Sequence, residues 1–505
     1  MNSPVDKPFR SASGNPYLEQ LEEFLSTDNL MPRLQNWPLS GIEVTNLSMQ
    51  ARHDLLDRMH DQMFEPTTTA IETGTRLFRM IRRGIMARDP TLVSSRAHTM
   101  AIARYAGKEL KDLPWFPNSA KGMRSSGITG LGKSYEICRL LQLLPKRIQH
   151  GPSKSADWNH MIQAPWIYVA MSHDGSLGGL PLQILVALDT AIGTDYSDER
   201  GLTSLSNEKL AVHVGIILNN HSVGVLVIDE LQGRNFAGGA RGGLAATFFL
   251  RLLNFGIPLV LMGNPLGMDA LDSFSQDMRR VGSGGNIEMH PLESDEFDFT
   301  DILAPALWRY NVMPQPSPID DKDGAILFNF CGGIRDYATR IRVSSQRLAL
   351  DQGDQFVTEE HMQQAFMGPD FSSKERALIV GFRDRNPIPL SQFDDIPWQR
   401  YAVRWGLHEE NQGASDVAPS APDVQKQTQN NEKAAKPRKP VSQQAKETAQ
   451  RNRTRKANQK AQNAAVRAEL DINDMRNQGL QDYLISGLDQ LNSSEVVGPV
   501  NQTGV

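Results

Sequence analysis

Three stretches of this 505-residue chain predict an α/β fold built on a parallel sheet flanked by helices. Residues 127–134 read GITGLGKS, a glycine-rich turn that opens a helical pattern. Val223–Ile228 (VGVLVI) and Ile257–Met262 (IPLVLM) are uninterrupted apolar runs, as the buried middle of a parallel sheet requires. Helical patterns separate these runs. Strands that alternate with helices in this way form one parallel sheet with helices on its faces.

The elements follow in order. The first fourteen residues read as a flexible tail. Asn15-Pro16 then reads as a helix cap followed by proline in the first turn. Leu18, Leu21 and Leu25 form one apolar stripe behind it, so this short helix packs on the chain's own core or docks on a partner. It belongs to an N-terminal extension over 1–66. Residues 67–121 read mostly helical, with basic clusters at Arg82-Arg83 and Lys108–Lys111. The alternating core spans 122–295. Within it Lys133–Leu144 sets Ile137, Leu140, Leu141 and Leu144 on a helical face that Pro145 ends. Trp166–Met171 (WIYVAM) is a short run of strand formers. Leu177–Ile192, Asn207–Leu218 and Leu244–Phe255 read as helices. Residues 296–410 carry no strong strand signal and read as a small helical lid domain. Residues 411–467 are rich in Gln, Asn, Ala, Lys and Arg and poor in large apolar side chains. Such a segment cannot bury enough surface to offset its ordering entropy, and is expected to be disordered. In 468–505, Leu480, Leu484, Leu488 and Leu491 lie along an amphipathic pattern. The sequence carries no internal repeat.

The formal charge of −5 hides an asymmetry. Lys426–Arg467 holds twelve Lys/Arg against two Asp/Glu. Such a basic segment meets a polyanion or an acidic partner, or is a solvated linker kept soluble by charge. The two cysteines, Cys138 and Cys331, have no metal-ligand spacing, so a zinc site or a disulfide scaffold is not expected and a reducing compartment fits. No apolar signal core opens the sequence, and no apolar run approaches the roughly 20 residues that cross a bilayer. A soluble, cytoplasmic protein without membrane partners is the expectation.

GITGLGKS fits the pattern GxxxxGK[ST] in full. Gly127, Gly130 and Gly132 let the backbone curl so that successive N–H groups face phosphate oxygens. Lys133 places an ammonium on the β and γ phosphates, and the Ser134 hydroxyl can bind Mg²⁺. The following helix offers its positive N-terminus to the same anion. With Thr129, Leu131 and Tyr135 these residues are the candidate nucleotide contacts. The strand expected before the loop reads AKGMRSSG, which is polar and contains glycine.

The apolar run VGVLVI ends in Asp229-Glu230. An acidic pair at the carboxyl end of a parallel strand lies beside the phosphate site. Asp229 is the second candidate Mg²⁺ ligand, direct or through water. Glu230 is the candidate base that polarises the attacking water. IPLVLM ends in Gly263-Asn264-Pro265, and the Asn264 side chain could orient the same water. Farther on, DMRRVGSGG contains Arg279-Arg280, and CGGIRDYATR contains Arg335 at the start of a lid helix. A ring-forming ATPase needs one arginine that reaches a neighbour's γ-phosphate and one that senses nucleotide from the lid. Either Arg279 or Arg280 suits the first role, with Arg280 slightly favoured; Arg335 suits the second.

With these motifs in order, the chain resembles an AAA+ ATPase, and more narrowly the TnsC family of bacterial transposition regulators, which is related to the MuB, IstB and TniB ATPases. The resemblance rests on NPYLEQL, GITGLGKS, Ser172–Tyr196 (SHDGSLGGLPLQILVALDTAIGTDY), VGVLVIDELQ, GIPLVLMGNP and DMRRVGSGG, and with the lid spans about 15–345. Ser172–Tyr196 is the most telling, because AAA+ proteins in general do not share it. The resemblance implies a protein that binds ATP with Mg²⁺ and assembles as a ring or filament on duplex target DNA. It also implies that the protein links target-selection proteins to transposase subunits, with hydrolysis resetting the assembly. The alternative is a clamp-loader-like or replication-initiator-like AAA+ factor acting on DNA outside transposition. A nucleotide-binding interaction protein without hydrolysis is a third reading, against which Glu230 argues.

Overall fold

The computed structural model describes residues 14–21, 27–114, 120–171, 179–232, 239–272, 279–317, 319 and 324–407. The expected basic linker and the leucine pattern at 480–491 lie outside these residues, as does the start of the Ser172–Tyr196 stretch. No helix among the described residues is long and apolar enough to cross a membrane.

Seven strands are described. They are β1 (Gly122–Ser126), β2 (Ile148–His150), β3 (Met161–Gln163), β4 (Trp166–Ala170), β5 (Val225–Leu231), β6 (Leu259–Gly263) and β7 (Gly285–Glu288). Five form one sheet in the order β4-β5-β6-β1-β7. Every pairing in it is parallel. This is the expected α/β core, an AAA+ P-loop fold. β2 and β3 make a separate antiparallel hairpin that the sequence patterns did not signal.

The apolar runs form the sheet's interior. All five residues of β6 are buried, and Val225–Ile228 are fully buried in β5. β1 sits between β6 and β7 despite its polar sequence GMRSS. Local chemistry explains how. Met123 enters the core with Val225, Val227, Val260 and Met262. Arg124, on the opposite face, forms an ion pair of 2.6 Å with Asp272. Gly122 is required, because a Cβ there would lie 2.4 Å from the Val281 carbonyl oxygen.

Helices cover both faces. Thr68–Ala87 turns Leu77, Phe78, Ile81 and Ile85 onto the sheet, and Lys133–Gln142 adds Ile137, Leu140 and Leu141. Leu180–Ile192, Asn207–Asn220 and Gly239–Asn254 follow at the expected places. Beyond β7 the described residues carry helices, with Ala325–Cys331, Arg335–Gln352, Glu359–Met367 and Ser373–Arg383 as the main elements.

The short N-terminal helix Pro16–Glu19 docks on its own chain. The Asn15 side chain accepts from Tyr17 N at 3.0 Å, and the Tyr17 ring stacks on Trp158 with centroids 5.3 Å apart. A longer helix, Met49–Gln62, packs on the helical C-terminal region: Tyr310 Oη donates to the Leu55 carbonyl at 2.7 Å, and Arg347 pairs with Asp57 at 2.8 Å.

Candidate active site

Everything the phosphate-loop chemistry needs meets at the carboxyl ends of β1 and β5. Gly127–Gly132 bridges β1 to the helix Lys133–Gln142. Gly130 and Gly132 both take φ of +88°, the left-handed region where a side chain is strained. Space above Gly132 is open, since a Cβ built there meets nothing within 4 Å. The helix behind it is ten residues long and starts at Lys133 with its N–H groups toward the loop. A curled backbone, a helix N-terminus and an ammonium together fit a polyphosphate.

Lys133 Nζ donates to the Ile128 carbonyl at 2.8 Å, which holds the ammonium over the loop. Burial pulls its pKa below the ordinary lysine value, against the opposing pull of Asp229, Glu230 and Asp395. An anion in the loop would relieve that desolvation cost.

Asp229 is 3% exposed and is the hub of the acidic end. Its Oδ2 accepts from Ser134 Oγ at 2.5 Å and from Tyr168 Oη at 2.5 Å. Its Oδ1 accepts from the Glu230 amide at 2.7 Å. A serine hydroxyl and a carboxylate in direct contact are the hard oxygen donors that suit Mg²⁺. Tyr168 was not singled out by sequence reasoning. It lies within an apolar run, and only the pairing of β4 with β5 brings it beside Asp229. Burial, then the Asp229 charge, pushes its phenol well above the ordinary value, so Tyr168 remains a donor.

Glu230 follows at φ +60°, a left-handed conformation rare for a residue with a side chain. The register between β5 and β6 breaks between Ile228 and Leu231, so Glu230 sits on an irregularity that re-aims its side chain. That side chain is exposed and accepts from Gln232 Nε2 at 3.2 Å. The irregularity brings the Leu231 carbonyl so close that a Cβ at Gly263 would sit 2.0 Å from its oxygen.

Asn264 stands at the tip of β6, one strand from Asp229. Its Oδ1 accepts from the Gly267 amide at 2.6 Å, which caps the helix Pro265–Asp272. Arg279 and Arg280 are at the other end of the sheet. Gly284 N donates to the Gly122 carbonyl at 2.6 Å, and Val281 abuts Gly122, the first residue of β1. The phosphate loop begins after Ser126, about 13 Å farther along the strand at ~3.3 Å per residue. Neither arginine can reach its own loop. Arg280 Nη1 donates to Asn254 Oδ1 at 2.8 Å, whereas Arg279 is exposed.

Arg335 begins the helix Arg335–Gln352, whose Asp336 amide donates to the Gly130 carbonyl at 3.0 Å. The start of this helix therefore touches the loop, but the Arg335 guanidinium turns toward Glu136. It lies 3.9 Å from Glu136 Oε2, donates to the Glu65 carbonyl at 3.1 Å and covers the Phe64 ring at 5.6 Å. Burial pushes the Glu136 carboxyl up and the guanidinium down. Tyr135 packs edge-on against Phe64, with centroids 5.5 Å apart, and its hydroxyl donates to the Asp61 carbonyl at 3.2 Å. Glu136 and Phe64 are site neighbours that no motif marked.

Residues 125–271, the segment that carries the loop and the acidic pair, match the family model described as AAA domain. No curated protein matches the chain. Among solved structures the chain is similar to Cdc6p from Pyrobaculum aerophilum, at 13% identity over 62% of this chain and 80% of that one, with a TM-score of 0.32. It is similar to the ORC1 protein of Aeropyrum pernix in complex with DNA, at 14% identity over 63% and 85%, with a TM-score of 0.35. It is also similar to the RuvB Holliday junction branch migration motor of Thermotoga maritima, at 13% identity over 62% and 81%, with a TM-score of 0.29. At such scores none of the three bears on what this chain binds or does.

Proposed function

We propose that this chain is an ATPase that assembles on duplex target DNA and couples target-selection proteins to a transposase. The observation that carries the ATPase part is the meeting of Lys133, Ser134, Asp229 and Glu230 at one end of the sheet. Gly127, Thr129, Gly130, Leu131, Gly132, Lys133, Ser134 and Tyr135 bind the nucleotide. Ser134 and Asp229 would hold Mg²⁺, which would neutralise charge on the β and γ phosphates. Glu230, exposed and aimed by its irregular backbone, accepts a proton from water. Asn264 helps to orient that water.

Assembly would let the two ends of the sheet meet between subunits. Arg279 and Arg280 lie too far from their own loop to serve it, so a role for either at a phosphate is one on another subunit's nucleotide. Arg280 is already held by Asn254, so exposed Arg279 becomes the better finger of the two. Arg335, whose guanidinium is turned to Glu136, reports nucleotide only through the start of its helix, where the Asp336 amide holds the Gly130 carbonyl. The transposition role rests on the resemblance of NPYLEQL, Ser172–Tyr196 and DMRRVGSGG to TnsC-type proteins.

The test measures ATP hydrolysis and sedimentation with and without duplex DNA. Turnover that needs Lys133, with ATP-dependent large assemblies on DNA, is the expected result. Equal nucleotide affinity in the wild type and Lys133→Ala would overturn the site. For the transposition role, strand transfer by a cognate transposase should require the protein and ATP; strand transfer indifferent to it would favour an ATPase acting elsewhere on DNA.

A further inference from the structure

We infer that Tyr168 is a positioning residue for the metal end of the site: it fixes the Asp229 carboxylate so that Mg²⁺ and the phosphates are held in one geometry. This inference rests on the ATPase reading above.

Tyr168 and Val227 are partners across β4 and β5, and Ala170 and Asp229 are the next pair along the same face. Tyr168 thus stands one pair behind Asp229. Its long side chain leans forward, and Oη donates to Oδ2 at 2.5 Å. Ser134 Oγ donates to the same oxygen at 2.5 Å. Oδ1 is taken by the Glu230 amide at 2.7 Å. The carboxylate is therefore held from three sides, by β4, by the phosphate-loop helix and by its own strand. The serine is the one member of this set that also serves as a candidate metal ligand. When its hydroxyl oxygen turns to a metal, the donors from Tyr168 and Glu230 still fix the carboxylate plane. Without the phenol, one amide would hold the plane of a carboxylate that is 3% exposed. A charge-assisted hydrogen bond at a buried carboxylate is strong enough to set such an orientation.

The hydrogen bonds described for Tyr168 go to Asp229 and the Ser134 hydroxyl, the two candidate metal ligands, so its effect is expected in the metal-linked part of binding. The ring itself is partly buried against the hydrophobic cluster that includes Met123, Ile137, Val225 and Val227. Tyr168→Phe keeps that packing and removes only the hydroxyl.

The experiment titrates a fluorescent ATP analogue into wild type, Tyr168→Phe, Asp229→Asn and the double variant, each in EDTA and in Mg²⁺. Bound Mn²⁺ is followed in parallel by electron paramagnetic resonance. Tyr168→Phe should match the wild type in EDTA within about twofold. It should lose roughly tenfold of the affinity gained from Mg²⁺, and its Mn²⁺ signal should broaden. In the Asp229→Asn background the same substitution should change little, because the partner is gone. An undiminished Mg²⁺ gain in Tyr168→Phe overturns the inference, as does an equal loss in EDTA and Mg²⁺ or full additivity of the two substitutions. A wild type that binds no nucleotide, or whose binding ignores Mg²⁺, overturns the ATPase reading itself and the inference with it.

Discussion

Glu230→Gln isolates the proposed base from everything else at the site. The side chain is exposed, and the hydrogen bond described for it comes from Gln232 Nε2 at 3.2 Å. Glutamine has the same length and the same tolerance of φ +60°, so folding stability should change by no more than about 0.5 kcal/mol. The Asp229 hydrogen bonds to Ser134 and Tyr168 do not involve the Glu230 side chain, so nucleotide affinity should hold. A positioned base contributes roughly 100- to 10,000-fold. Its loss should raise the barrier by about 3–5 kcal/mol. Three assays read the outcome: thermal unfolding, binding of a fluorescent ATP analogue, and phosphate release in a single turnover with saturating DNA. The expected set is unchanged melting, unchanged binding, phosphate release slowed at least about 100-fold, and slower departure from DNA. Equal phosphate release in wild type and Glu230→Gln would refute the reasoning. A variant that melts early would show that the strained backbone, not the proton transfer, needs the carboxylate.

Mixing Arg279→Ala subunits with Lys133→Ala subunits should restore part of the hydrolysis each lacks alone, because one interface regains both parts; the same mixture with Arg280→Ala should restore less, and no rescue in either would count against a shared site. Gly263→Ala places a Cβ 2.0 Å from the Leu231 oxygen and should destabilise the fold by about 3 kcal/mol, read as a lower urea midpoint. Truncation after Asn411 should spare intrinsic hydrolysis and weaken DNA binding mostly at low salt; coincident slopes of log affinity against log salt for both lengths would show that the basic segment does not touch DNA.

The strands with the strongest patterns were the most legible. VGVLVI and IPLVLM are fully buried and needed no tertiary context. β1 was legible only through the loop that follows it, because Gly122 and Arg124 owe their central place to specific partners rather than to hydrophobicity. β2 and β3 are three residues each, too short for a period to show. At the site the motif residues were readable because phosphate chemistry restricts their types and spacing. Tyr168 and Glu136 were not readable. A tyrosine in an apolar strand reads as packing, and a glutamate in an amphipathic helix reads as its solvent face until Arg335 and Thr68–Ala87 cover it.

Helix Met49–Gln62 marks a limit of a different kind. Its sequence, MQARHDLLDRMHDQ, places Leu55, Leu56 and Met59 on one face, but no sequence pattern says what that face meets. The structure places it in one hydrophobic cluster with Ile128 and Leu131 of the phosphate loop and with Tyr310, Ile334 and Ile341 of the helical region. Arg52, 8% exposed, fastens it by donating to the carbonyls of Val312, Leu47 and Thr45. Its last turn then hands the chain to Phe64 and Glu65, where Tyr135 and Arg335 make their contacts. The loop and Arg335 are thus joined through a third element from the beginning of the chain. A residue-type motif can mark chemistry, because chemistry restricts residue types. It cannot mark a joint of this sort, which uses leucines, an arginine and backbone carbonyls that would serve equally well elsewhere.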